Sequence, residues 1–228
     1  MRYTLFGRGT GLKVSSMILG TGMLGDAGGY RTAPEDVPAI LRGYAEAGGN
    51  FIDTSDAYQQ GQSDRKAMVQ SVEASLKRLK TDRIDLYLNH MDYGSTSVEE
   101  IARGFDNLVR AGKIIYAGFS NTPAWRLATA AATADVRGWA PIAALQVEYG
   151  LLQRTTERDL LPMADAIGMG VMGYSPLAAG LLTGKYRRGG TGRETDFKAS
   201  VSHEDAGASA TVIDTLIAVA DELGVSPG

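Results

Sequence analysis

Gly49-Asn50-Phe51-Ile52-Asp53-Thr54-Ser55-Asp56-Ala57-Tyr58 is the stretch on which the reading of this chain turns. Phe51 and Ile52 are the apolar end of a buried strand. Asp53 stands at the C-terminal tip of that strand, and Tyr58 follows in the next loop. A carboxylate and a phenol at the mouth of one strand can form a proton-donating pair. A phenol titrates near pH ~10 and is a weak acid at neutrality, so only a charged, partly dry setting makes it useful. Taken alone, the same stretch is also an ordinary strand end followed by a polar loop.

Outward from this stretch, strand and helix signals alternate. Upstream, Tyr3 to Phe6 and Leu12 to Val14 flank the turn Gly7-Arg8-Gly9-Thr10-Gly11, which predicts an N-terminal β-hairpin. Met17 to Gly20 is a short buried strand. Val37, Ile40, Leu41 and Tyr44 mark one face of a helix that ends at Gly48-Gly49. Downstream, Met68, Val69, Val72, Leu76 and Leu79 form a helical stripe that leads to a strand over Ile84 to His90. Ser97-Val98-Glu99-Glu100 is a capping box, with Ser97 as N-cap, opening a helix through Ile101, Phe105, Leu108 and Val109. Strands follow at Ile114 to Ser120, Ala143 to Glu148 and Gly170 to Tyr174. Between and after them lie a helix started by Thr122-Pro123, one over Asp159 to Ile167 and a last one over Ala210 to Leu223.

Repeated βα units with buried strands admit two architectures, an open doubly wound sheet or a (β/α)8 TIM barrel. No Gly-x-Gly-x-x-Gly follows the first strand, against the dinucleotide-binding open sheet. Thr21, Asp53, His90, Ser120, Gln146 and Tyr174 instead recur at the C-terminal ends of different strands. A barrel gathers such ends at one face, where barrel enzymes keep their active sites. The expected fold class is therefore α/β: a (β/α)8 barrel with an N-terminal hairpin, forming one domain over residues 1–228.

Composition narrows the function. The net charge is −3 with no Lys/Arg block, which argues against nucleic acid or an anionic membrane as a partner. There are no cysteines, so thiolate catalysis, disulfides and Cys-based metal sites are excluded. Two histidines are too few for the usual ligand sets of a barrel metal hydrolase built on Asp53, His90 and Asp92, and no metal is expected. His203, in a polar Gly-rich stretch, is given no role. No apolar signal region or membrane-length run occurs, and a soluble, cytoplasmic protein is expected.

Four further motifs sit at or after strand ends: Asp85-Leu86-Tyr87-Leu88-Asn89-His90, Gly118-Phe119-Ser120-Asn121, Leu145-Gln146-Val147-Glu148-Tyr149, and the long run Tyr174-Ser175-Pro176-Leu177-Ala178-Ala179-Gly180-Leu181-Leu182-Thr183-Gly184-Lys185-Tyr186. With the Asp53–Tyr58 stretch they occur in the order found in aldo-keto reductases, and from about Tyr3 to Leu223 the chain resembles that family. The resemblance implies reduction of an aldehyde or ketone by hydride transfer from NADPH, with NADH left open because preference rests on family habit alone. Tyr58 would be the general acid, His90 would orient the carbonyl, and Asp53 would help set the acidity of the phenol through a charge-paired Lys. Ser120, Asn121 and Gln146 would hold the nicotinamide carboxamide, since an amide must meet complementary donors and acceptors for its ring to present one face.

By the same resemblance Tyr174 would stack on the nicotinamide ring. Ser175 and the small Ala178 and Gly180 would let backbone N–H groups approach the pyrophosphate, Pro176 and Leu177 would belong to the same cofactor loop, and Lys185 would add a charge. Gly20, Thr21 and Gly22 match the loop near the cofactor. Met23 and Met91, with Leu24 and Tyr93, would line a pocket for an uncharged carbonyl compound. Which carbonyl compound, and the oligomeric state, are not legible. The alternative function is a non-catalytic NADP(H)-binding regulatory subunit of the same fold.

Two parts of the family pattern are absent. Gly61-Gln62-Ser63-Asp64 runs almost directly into the helix over Lys66 to Leu79, where the family has a further helix and the strand that supplies the paired Lys. Lys66 stands in a helix start and is not promoted to that role. Val225-Ser226-Pro227-Gly228 matches the beginning of the family's final segment, which holds the eighth strand and the groups for the adenosine 2′-phosphate. Six strands remain after the hairpin, and six cannot close an eight-stranded barrel without open edges. The expectation is that the molecule has residues beyond the 228 in hand. The other reading is a deletion product without catalysis.

Overall fold

A computed structural model describes residues 1–25, 32–55, 64–92, 94–188, 190, 192 and 207–228. It divides the chain into two compact units: Met1–Gly22 with Arg42–Val147 and Glu157–Met172, and Met23–Leu41 with Glu148–Thr156 and Gly173–Gly228. In chain order the strands are β1 (Tyr3–Leu5), β2 (Lys13–Ser15), β3 (Leu19–Gly20), β4 (Ile52–Asp53), β5 (Ile84–Asn89), β6 (Ile114–Ser120), β7 (Ile142–Glu148) and β8 (Gly170–Tyr174). The helices are α1 (Val37–Glu46), α2 (Arg65–Leu79), α3 (Val98–Arg110), α4 (Ala124–Arg137), α5 (Leu160–Ile167) and α6 (Gly207–Leu223).

β1 and β2 form the expected antiparallel hairpin. The other strands fall into a parallel pair, β3–β4, and a four-stranded sheet in the order β5-β6-β7-β8. This is part of a (β/α)8 barrel, and the barrel is not closed: among the described residues no ladder joins β4 to β5. Both sheets follow sequence order with a helix between successive strands of the larger one, as right-handed βα units require.

The main core of the first unit lies between the larger sheet and its helices. Ile101, Phe105 and Leu108 of α3 interlock with Phe119 of β6, Leu145 of β7, and Met68, Val72 and Leu76 of α2. Phe105 meets Phe119 edge-on at 5.4 Å, a favoured aromatic geometry. On the inner side of the strands a second cluster joins Phe6 and Val14 of the hairpin to Ala144 and Met172. Gly118 is obligatory in β6, because a Cβ there would sit 2.6 Å from Ala144 Cβ and 2.7 Å from a Leu88 methyl.

Local chemistry explains most helix starts. Asp64 caps α2, accepting from the N–H groups of Lys66 (3.0 Å) and Ala67 (3.1 Å). Ser97 caps α3 by accepting from Glu100 N–H at 3.1 Å, as expected. Pro123 departs from expectation. It stands at the cap of α4 with an extended ψ of 142° instead of inside the first turn. His90 likewise lies one residue beyond the end of β5. In the second unit, Leu181 and Leu182 pack on Ile213 of α6, with Leu152, Tyr186 and Leu216 around them. No helix among the described residues is long and apolar enough to cross a membrane.

Candidate active site

Parallel pairing levels the strand tips of the first unit. Gly20 of β3 pairs with Asp53 of β4, and Ser120 of β6 pairs with Gln146 of β7. Side chains just beyond those tips therefore converge. Thr21 donates to the Asp53 carbonyl through both its N–H (2.9 Å) and its hydroxyl (3.0 Å), continuing the β3–β4 ladder past the strand. Gln146 Nε2 donates to Asp53 Oδ2 at 3.0 Å, tying β7 to β4 although neither strand pairs with the other.

Asp53 is half-buried, and its carboxyl is held above the usual carboxylate range. Desolvation is the main cause. The Gln146 hydrogen bond and the nearby charge of His90 pull it partly back. The sequence reading placed the Lys that the family pairs with this Asp in the absent βα unit, and the described residues supply none. Among the described residues, the groups that act on its carboxylate are an amide and an imidazole. Lys66 lies exposed in the first turn of α2, the helix that Asp64 caps.

A second set of bonds fixes the neighbouring tips. Asn121 Nδ2 donates to the His90 carbonyl at 3.0 Å and lies 2.9 Å from Ser120 Oγ, while its N–H reaches the Gln146 carbonyl at 3.4 Å. Asn121 adopts a left-handed backbone (φ 49°), which Asn tolerates better than most side chains. Ser120 is buried at the end of β6. His90, Ser120, Asn121, Gln146, Asp53 and Thr21 thus form one hydrogen-bonded group with two hydroxyls, two amides, a carboxylate and an imidazole. Met91 is half-buried beside it, its carbonyl 3.4 Å from Asn89 Nδ2. Tyr58, the expected proton donor, lies outside the described residues, as does Tyr93.

The expected cofactor loop belongs to the second unit. Tyr174 ends β8 with a half-buried phenol whose pKa is raised, first by burial and then by the charge of Glu148. After it, Ser175, Ala178 and Ala179 all have positive φ (53°, 48° and 55°), followed by Gly180 at 96°. Three non-glycine residues in this region store local strain, a feature that clusters at functional sites. The N–H groups of Ala178 and Gly180 donate within the loop, to the carbonyls of Ser175 and Leu177. Pro176 packs closely on Gly150, where a Cβ would sit 2.8 Å from its carbonyl oxygen, and Leu177 is exposed. Lys185 holds its ammonium 5.0 Å from the Tyr186 ring centroid. Met23 also falls in the second unit, where its carbonyl accepts from Thr32 N–H at 2.9 Å.

Two residues around the first site escaped the sequence reading. The Tyr44 hydroxyl, read there only as part of an apolar face, lies 2.8 Å from the Met17 carbonyl and 2.7 Å from the Phe51 carbonyl. Arg126 of α4 forms an ion pair with Asp92 just after β5. Asp92, weighed above as a metal ligand, is thereby committed to a cation of the protein, and no cluster of three ligating side chains occurs among the described residues. Neither pairing has a local motif that would announce it.

The chain matches the model of the Aldo/keto reductase family over residues 16–67 and 64–228. It is similar to the uncharacterized oxidoreductase YrpG of Bacillus subtilis, at 33% identity over 88% of this chain and 74% of that protein. It is also similar to norsolorinic acid reductase of Aspergillus flavus (32% identity, 75% of this chain, 55% of that protein). A third relative is aryl-alcohol dehydrogenase [NADP(+)] of Phanerodontia chrysosporium (30% identity, 78% and 59%). The chain thus spans little more than half the length of these fungal relatives. The YrpG alignment runs over 246 residues, more than the 228 of the whole chain, so YrpG carries interior residues that this chain lacks. The two parts of the family match meet at residues 64–67, at the start of α2, where the sequence reading found a βα unit absent. With strand order, tip chemistry and these matches in agreement, the chain belongs to the aldo/keto reductase family.

Proposed function

We propose that this protein reduces an aldehyde or ketone to an alcohol with NADPH as reductant. The hydrogen-bonded group at the tips of β4, β6 and β7, with His90 just past β5, carries the reading. The residues fit the carboxamide of a nicotinamide: the Ser120 hydroxyl and the amides of Asn121 and Gln146 offer donors and acceptors together at one strand-end level. When bound, the cofactor supplies the hydride. His90 directs an N–H at the carbonyl oxygen and so fixes the face of the substrate. Tyr58 gives its phenolic proton to the oxygen as negative charge develops there, so that hydride and proton together complete the alcohol. Asp53, through its charge, biases the protonation of its neighbours.

In the second unit, the Tyr174 ring is neutral at physiological pH, because both burial and Glu148 oppose its ionisation. A flat, neutral ring suits stacking. The strained Ser175–Gly180 turn and Lys185 supply the close backbone and the cation that a pyrophosphate needs.

One observation favours a second reading, a cofactor-binding regulatory subunit. Among the described residues no Lys or Arg acts on the Asp53 carboxyl, and without one a phenol loses much of its incentive to act as an acid. Steady-state oxidation of NADPH with benzaldehyde separates the two. Sustained turnover supports the reductase. Tight NADPH binding with no turnover supports the regulatory subunit, and neither binding nor turnover defeats both.

A further inference from the structure

We propose that Arg126 is a positioning residue that holds the His90 loop in its working shape. His90 stands at the start of the segment linking β5 to α3, and a loop of this kind has few internal restraints of its own. Here it is tied from outside at several points. Asn121 Nδ2 binds the His90 carbonyl at 3.0 Å. Two residues on, Asp92 receives Arg126 in a fork, Nε to Oδ2 at 2.5 Å and Nη2 to Oδ1 at 3.0 Å. The same Nη2 reaches past Asp92 to the Thr96 carbonyl at 2.8 Å, just before the Ser97 cap of α3. Within the loop, Gly94 N–H closes onto Asp92 Oδ1 at 2.9 Å.

Burial separates this pair from the others in the molecule. The Asp92 side chain is 2% exposed and that of Arg126 13%, whereas in every other ion pair among the described residues at least one partner is more than half exposed. A planar guanidinium with two ligands in a fixed fork sets direction as well as distance, which an ammonium cannot do. The Trp125 ring lies 5.6 Å from the guanidinium carbon and restricts it further. Both anchors, Arg126 and Asn121, project from the segment that follows β6, so the position of His90 is referred to that strand.

The kinetic arm of the test rests on the reductase reading, and the structural arm does not. Arg126→Gln and the milder Arg126→Lys would each be compared with the parent chain by hydrogen exchange resolved over residues 90–97, by His90 imidazole NMR, and by steady-state kinetics with NADPH and benzaldehyde. The expected result is exchange in 90–97 faster by about tenfold or more, with the rest of the α2–α4 layer unchanged. The His90 resonances should shift or broaden. The value of kcat should fall about ten- to a hundredfold, as for a reactant displaced by about 1 Å, while NADPH affinity stays within about twofold. Arg126→Lys should give the same pattern more weakly. Unchanged exchange and His90 signals in both variants would overturn the proposal. So would exchange that rises evenly across the unit, since Arg126 would then serve stability alone. If the parent chain shows no turnover, the reductase reading fails while the exchange and NMR results still decide the role of Arg126.

Discussion

The β5–β7 sheet and the β3–β4 pair present the same kinds of group at their tips, yet they are built differently. Strands β5 to β7 are six or seven residues long, and Phe105, Phe119 and Leu145 are fully buried in the layer that covers them. Strands β3 and β4 have two ladder residues each, and Ile52 of β4 is 51% exposed. Among the described residues β4 pairs with β3 alone, whereas β6 and β7 each have a strand on both sides. The lesson is that a parallel strand owes its order to both flanks. With no strand paired on its other flank among the described residues, Asp53 is held by its β3 neighbour Thr21 and by the long-range bond from Gln146.

The largest expected effect tests whether the sparsely built side performs chemistry. Tyr58→Phe should lower carbonyl reduction by about 10³-fold and leave NADPH affinity nearly unchanged. Retained turnover with weakened cofactor binding would remove Tyr58 from the proton-donor role. The stability contrast comes next. Phe105→Ala should cost about 3–5 kcal/mol in chemical denaturation, because it empties a fully buried site. Ile52→Ala, at a half-exposed position, should cost about 1 kcal/mol or less. Equal losses would show that the β3–β4 side is covered in solution and would break the comparison.

Tyr44→Phe should fall between these extremes. It strips the hydroxyl placed between the Met17 and Phe51 carbonyls, just ahead of β3 and β4, for about 1–3 kcal/mol. The smallest effect has the opposite sign. Because burial raises the Asp53 pKa in the folded protein, the native state binds the extra proton above pH ~3.8, and stability falls as pH rises through the folded value. Asn at this position keeps an acceptor for Gln146 and removes the desolvated charge. Asp53→Asn should therefore raise Tm at pH 7, and the gain should shrink as pH falls towards the unfolded carboxyl value. A loss of stability at pH 7 would mean that Asp53 is paired with a cation.

Much of this was legible without coordinates, for identifiable reasons. The six parallel strands announced themselves as short apolar runs, and β6 and β8 have the expected limits. Ser97 was readable as a cap because capping is local: the side chain reaches an N–H three residues away. The strand-end positions of Asp53 and Ser120 were readable because a polar residue closes each apolar run, whereas Gln146 lies two residues inside the end of β7. Local patterning mis-set the Pro123 turn, where one residue of offset decides between cap and first turn.

By itself the sequence determined the strand–helix alternation, the chemical inventory at the strand ends, the family and the place where a βα unit is absent. All of these depend on neighbours along the chain or on order. Only the tertiary structure decided that Gln146 is bonded to Asp53, that Asn121 holds the His90 carbonyl, that the Tyr44 hydroxyl lies between the Met17 and Phe51 carbonyls, and that Arg126 clamps Asp92. Each of those contacts joins separate strands, helices or loops. Their partners are chosen by where packing brings the chain back, and one-dimensional spacing carries no record of that.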